Sequence, residues 1–273
     1  MFKRMIILFP LIIGLLLFSC SLQEPDQTQT TELTFENIAE QDEAAAQAEV
    51  KNVVAMTMSF SFEAVNTHEQ LLSSRNTLAK GAGDWVYSWD GKAHIWEKVV
   101  EDGAFYGEFF KKIYYSDANG NIVEAPDQSY YMFSTNRAKG TYGFQGESPN
   151  NKYGVTFHHV LNSVWSDMQS DNQLMSAEGL YQKTNRLIYN GRDALLKYIV
   201  NLNIEELTFS RAENSGEISV KGHMVIKMLP WTVHVDCDGS SKALVTIYRN
   251  RGVYNTFEQD LTDINFTTIK GLF

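Results

Sequence analysis

From Asp84 to the C-terminus, apolar and polar positions alternate with a period of two, in short runs separated by turn residues. This pattern predicts β-strands with one face buried. Trp85, Tyr87 and Trp89 alternate up to Asp90-Gly91, and Ala93 to Val100 returns from that turn. Phe105 to Ser116 approaches Asn119-Gly120, and Ile122 onward leaves it. Asn190-Gly191 separates Leu180–Tyr189 from Leu195–Ile204, where Leu196, Tyr198, Val200, Leu202 and Ile204 share one face. Glu205-Glu206 then shifts the apolar phase to Leu207 and Phe209, which predicts a bulge. Ile218, Val220, Met224, Ile226 and Met228 share a parity that Pro230 ends, and Trp231, Val233, Val235 and Cys237 take the opposite one. Ala243 to Arg249, Val253 to Glu258 and Ile264 to Ile269 complete the series.

These turn pairs join ten to twelve strands in chain order, and no helical segment between them is long enough for a parallel crossover. The expected fold is therefore mainly β: an antiparallel meander forming a curved sheet or open barrel, with an N-terminal helix packed against it. That helix is predicted over 36–62. Glu, Ala and Gln dominate its first half, with Ile38, Ala45, Val50, Val53 and Val54 as a thin apolar stripe. Over Met56–Phe62 two periods compete, because Met56, Met58, Phe60 and Phe62 alternate while Val50, Val54, Met58 and Phe62 keep helical spacing. The helical extension is the reading taken, and 66–83 follows as a short helical turn and a loop.

The first twenty residues, MFKRMIILFPLIIGLLLFSC, carry the strongest functional statement. Lys3 and Arg4 precede an apolar run from Met5 to Phe18, of signal-peptide length and shorter than a membrane span. Leu17, Phe18, Ser19 and Cys20 resemble the lipobox of bacterial lipoprotein precursors, with Phe18 in place of the usual small or aliphatic residue. The resemblance covers only this segment, and the mature domain resembles no family specifically. It implies cleavage after residue 19 and acylation of Cys20, palmitate included, so that the membrane partner is reached through lipid. Two or three acyl chains hold durably, at about 0.8 kcal/mol per buried methylene. Ser21 is not the aspartate associated with inner-membrane retention, so the implied location is the bacterial cell envelope, outer membrane favoured. Residues 20–35, Gln- and Thr-rich with Pro25, read as a flexible tether, and 36–273 as one helix-plus-β domain with strands over about 84–269.

Loss of residues 1–19 removes two positive charges and takes the formal net charge from −10 to −12, which argues against nucleic acid as a partner. If Cys20 carries lipid, Cys237 is the second and last cysteine, so no internal disulfide forms. Its place on an apolar strand face predicts a buried, inert thiol.

Chemical motifs are few. His68-Glu69-Gln70-Leu71-Leu72 lacks the second histidine of a zinc-protease helix. Asp117, Asn119 and Asn121 open like a calcium loop, but glycine falls at the fourth position and Gln128 at the twelfth, so a hairpin turn explains them. His234 and Asp236, with His223 on the preceding strand, could build a surface metal site, which the nearby Lys221 and Lys227 oppose. A solvated polar face is the preferred reading, and no metal, cofactor or catalytic residue is assigned. An enzyme is not expected.

His159 shares a face with Tyr153, Val155, Phe157, Leu161 and Trp165 and reads as a core histidine or a ligand-cavity residue. Tyr87, Trp89, Trp96, Tyr106, Phe110, Tyr114, Tyr130 and Tyr131 place rings on both faces of neighbouring strands. The expected function is an anchored envelope lipoprotein that binds a hydrophobic small molecule, broadly like periplasmic lipid-binding half-barrels, or an envelope protein. Trp85, Trp89, Trp96 and His159 are its ligand-facing candidates. The alternative is a surface module that binds glycan or protein through exposed aromatics.

Overall fold

The computed structural model describes residues 30–34, 43–73, 85–144, 151–189, 192–211 and 218–261. Cys20 and the segment Ile264–Ile269 lie outside them. In chain order the elements are β1 (Thr30–Thr34), α1 (Glu43–Ser73), β2 (Val86–Trp89), β3 (His94–Asp102), β4 (Phe105–Ser116) and β5 (Ile122–Val123). After a 3₁₀ turn at Pro126–Gln128 come β6 (Tyr131–Phe144), β7 (Asn151–Ser166), β8 (Asn172–Tyr189) and β9 (Arg192–Arg211). The last four are β10 (Ile218–Met228), β11 (Trp231–Asp238), β12 (Lys242–Arg249) and β13 (Gly252–Asp260).

All strands belong to one sheet, in the order β13-β12-β11-β10-β9-β8-β7-β6-β4-β3-β2, with β5 paired to β4. Every neighbour along this path is antiparallel, so β2–β13 form the mainly antiparallel meander that the alternation predicts. Among the described residues no pairing joins β13 to β2, and the sheet is open. Part of the segment read as tether is itself a strand: Thr30–Thr34 pairs in parallel with Asp193–Lys197 of β9.

The helix differs from its expected bounds at the far end. It runs without a break to Ser73, taking in Asn66–Ser73, which the sequence reading made a short turn. Residues 35–42 lie outside the described set. Val53, Val54, Ala55, Met56, Thr57 and Met58 are all buried. Six consecutive residues cover more than one and a half turns, so the helix is enclosed on every side there. This resolves the competing periods over Met56–Phe62: a helix at the centre of a curved sheet needs apolar residues all round, which mimics strand alternation. Its contacts show the wrap, with Lys51 over the Phe257 ring of β13, Phe62 against Phe209 of β9, Phe60 against His159 of β7, and His68 bonded to Tyr115 of β4.

The predicted phase change at Glu205-Glu206 is a bulge felt on both sides of β9. Ile204 pairs with Ala177 and Leu207 with Met175, while the β10 register shifts between His223 and Met224. Gly222 sits at this bulge with φ +125°, and a Cβ there would collide with the Glu206 carbonyl oxygen. Gly222→Ala is therefore expected to cost about 2 kcal/mol or more, read as a lower urea midpoint at unchanged m-value.

Candidate functional site

The inward face, where the ligand-facing candidates lie, is filled. Trp96 is 5 % exposed and Trp85 is half-buried, and both rings surround one internal cation: Lys111 Nζ stands 4.8 Å from the Trp96 centroid and 5.2 Å from that of Trp85. The same ammonium donates to Glu63 Oε1 at 2.7 Å and to Thr67 Oγ1 at 2.6 Å on α1. Trp89 packs on His94 at 4.6 Å. The three tryptophans are thus gathered at one edge of the sheet, where two of them already serve a lysine of the protein itself.

His159 lies apart from them, fully buried against Phe60 and Tyr181, with Nε2 3.5 Å from Thr57 Oγ1. Burial lowers it to about 3, with the neighbouring His158 adding to the effect, so it is neutral and structural at ordinary pH. His68 is pushed down to about 4 by burial, against an opposing bond to the Met168 backbone. The Cys237 thiol is pushed up to about 11, first by burial and then by Asp236 and Asp238, which makes it inert as predicted. The Asp117 carboxylate accepts from the backbone of Asn119 and Asn121 and from the Asn121 amide, at 2.8, 2.8 and 2.9 Å. It is spent on its own turn, as the hairpin reading requires.

A second charge lies inside the sheet and escaped the sequence reading. Glu49 of α1 accepts from Tyr181 Oη at 2.5 Å and from Lys183 Nζ at 2.9 Å, both on β8. The Glu49 and Lys183 side chains are 5 % and 10 % exposed. Burial, and then the Glu49 charge, holds the Tyr181 hydroxyl well above its usual range, so it remains a donor. The signal was present: Lys111 and Lys183 occupy the inward parity of their strands, where an alternating pattern calls for apolar residues.

The outward face carries rings that no other layer of the described fold covers. Tyr114, Phe133 and Val164 stand in one cross-strand row of β4, β6 and β7. The Tyr114 and Phe133 rings stack at 4.6 Å and 6°. Tyr131 lies 6.4 Å from Phe133, and Tyr130 abuts Tyr131 at 4.7 Å. Tyr130 and Val164 are each 41 % exposed. Two rows away, Arg137 covers the Phe110 ring at 4.9 Å. Because Tyr114 and Phe133 stack on each other, their outer edges, and not two coplanar faces, meet solvent. They form a ridge with Val164 beside it, a shape that suits protein better than the flat face of a sugar.

A shallow depression of about 760 Å³ lies at the opposite end of the sheet, near Gly143, Gly154 and Arg186. It takes in none of the tryptophans, nor His159, nor the Tyr114–Phe133–Val164 ridge. Among the described residues no three His, Cys, Asp or Glu side chains stand together as a metal-ligating group, and no helix is long and apolar enough to cross a membrane. Comparison with protein families, curated proteins and solved structures finds no match to this chain.

Proposed function

We propose that this chain is an envelope lipoprotein, held by lipid on Cys20, that acts as a non-catalytic module binding a protein of the cell envelope through the Tyr114–Phe133–Val164 ridge. The observation that carries the reading is the stacked, outward Tyr114–Phe133 pair on a sheet whose inward face is already taken by α1. A sheet covered on one side has a polar opposite face by default, and a contiguous aromatic patch on that face marks an interaction surface. Tyrosine and arginine are the residues on which such interfaces concentrate their energy.

The anchor supplies an orientation. Thr30 pairs with Asp193, beside the β8–β9 turn, so the lipid-bearing segment joins the sheet at that end. Nine residues separate Cys20 from Thr30, a reach of about 33 Å at full extension. The ridge lies toward the other end, near the start of β6 and the end of β7, away from the point where the lipid-bearing segment joins the sheet. A hydrophobic ligand in the concave face would require α1 to leave, breaking both Glu49–Lys183 and Glu63–Lys111, and so ranks second.

The test is photo-crosslinking in the producing cell, with a benzophenone amino acid at position 133 or, as a control, at Ile199, which is 56 % exposed on the outward face of β9. A discrete protein adduct is expected at 133 and not at 199, and Tyr114→Ser should cut its yield at least tenfold. Equal labelling at both positions, or an adduct indifferent to Tyr114→Ser, would overturn the reading.

A further inference from the structure

The sheet brings together, on the outward face of β10 and β11, the three residues whose metal-binding reading the sequence set aside. His223 and Asp236 are register partners, and His234 pairs with Val225 in the adjacent outward row, so the two histidines are diagonal neighbours. Their ring centroids are 4.9 Å apart. His223 Nδ1 lies 2.7 Å from Asp236 Oδ1, and the two side chains are 39 % and 55 % exposed. A carboxylate on Nδ1 fixes the tautomer that leaves the Nε2 lone pair free, the arrangement that orients histidine ligands in metal centres. His234 is held on its other side by Tyr248, at 4.8 Å.

The bulge adds an independent observation. The register against β9 breaks between His223 and Met224, and Glu206 is the β9 partner of His223. The extra residue of this bulge belongs to β9, at Glu205-Glu206, and it leaves His223 with a carboxylate as register partner on each neighbouring strand, Glu206 and Asp236. One lysine that opposed a metal is removed from consideration. The Lys221 chain runs along the Asp238-Gly239 turn, where a Cβ on Gly239 would meet its Cε at 2.5 Å, and its charge acts on Asp238. Lys227, in register with Thr232, stands one row beyond His234, on the side away from His223.

We infer that His223 and His234 form a two-histidine chelate for a divalent transition-metal ion of the zinc class. Asp236 orients His223, and water completes the coordination. Imidazole nitrogen is the ligand such ions prefer, and the surrounding Glu206, Asp236 and Asp238 favour a cation. Of the other four histidines, His68, His94 and His159 are buried, and His158 faces Arg137 and Lys139, which disfavour a cation.

The test is calorimetric titration of Zn²⁺ into the EDTA-treated full chain in detergent at pH 7.5. Saturable one-to-one binding is expected. His223→Ala and His234→Gln should each weaken it at least tenfold, and Asp236→Asn about 10- to 100-fold. His158→Ala should leave it unchanged. All four positions are on the outward face, so unchanged far-UV circular dichroism will report intact folding. No saturable binding, or binding that survives the His223→Ala/His234→Gln double variant, would overturn the assignment.

Discussion

Replacing Glu49 with leucine is expected to destabilise the domain by about 3–5 kcal/mol, the usual cost of leaving one member of a buried ion pair without the other. Lys183 would keep its place over the Tyr198 ring, at 5.7 Å, but lose the carboxylate that balances its charge, and Tyr181 would lose its acceptor. For a chain of this size each kcal/mol moves the melting temperature by about 2–4 °C, so the midpoint should fall by roughly 6–20 °C. The double variant Glu49→Leu/Lys183→Met removes both charges, and should recover most of the loss because the site then packs as ordinary core. Thermal melts of the wild type and the two variants followed by circular dichroism decide it. A single variant within 1 °C of wild type would mean that solvent reaches the pair.

The same pair shows which parts of the structure the sequence could reveal. The runs Leu196–Ile204, Ile218–Met228 and Trp231–Cys237 each keep one parity inward, and the structure buries those parities in β9, β10 and β11. Short turns at Asp90-Gly91, Asn119-Gly120 and Asp238-Gly239 set the hairpins, because connections of three to five residues leave an antiparallel neighbour as the only option. The bulge at Glu205-Glu206 was legible for the same reason: a phase change must be absorbed by an extra residue. His159 and Cys237 could be placed inside by parity alone.

What was not legible depends on contacts distant in sequence. Glu49 lies 134 positions from Lys183, and Glu63 lies 48 from Lys111. No local pattern says which strand will pass a given turn of the helix, so charged residues on the inward parity looked like irregularities in the alternation. The tryptophans show a related long-range contact. Trp85 and Trp96, two of the ligand-facing candidates, stand around Lys111 of β4, a neighbour that only the strand order supplies. Conversely, Tyr114 and Phe133 belong to different strands, and only the β4–β6 register stacks them. A curved sheet around a central helix thus turns long-range register into the source of both its internal charges and its outward ridge.

Buried histidine gives a second large expected effect, unfolding in mild acid. His68 and His159 are held at about 4 and about 3 in the folded protein, chiefly by burial. In the unfolded chain each returns to about 6.5. Below pH 6.5 the unfolded chain therefore takes up protons that the folded protein refuses, and stability falls as pH falls through the window between 6.5 and 4. Each ring contributes a slope on the order of 1.4 kcal/mol per pH unit there. Burial lowers His94 as well, which adds in the same direction. The depressed carboxyls Asp90, Asp117, Asp238 and Glu108 are bonded in exposed turns and pairs, and their stabilising contributions are lost only at lower pH, as they in turn protonate. Urea midpoints measured from pH 7 to pH 4.5 should consequently decline steeply below pH 6.5. His159→Phe should reduce that slope by one proton's worth: the ring still packs against Phe60, and Thr57 keeps its bond to the Val53 carbonyl oxygen at 2.8 Å. If wild type and His159→Phe lose stability in parallel between pH 6 and pH 4.5, His159 is not the group that refuses the proton. The acid sensitivity would then have to come from His68, His94 and the other titrating groups, and the fully enclosed His159 would lose its place as the strongest evidence that α1 seals the concave face.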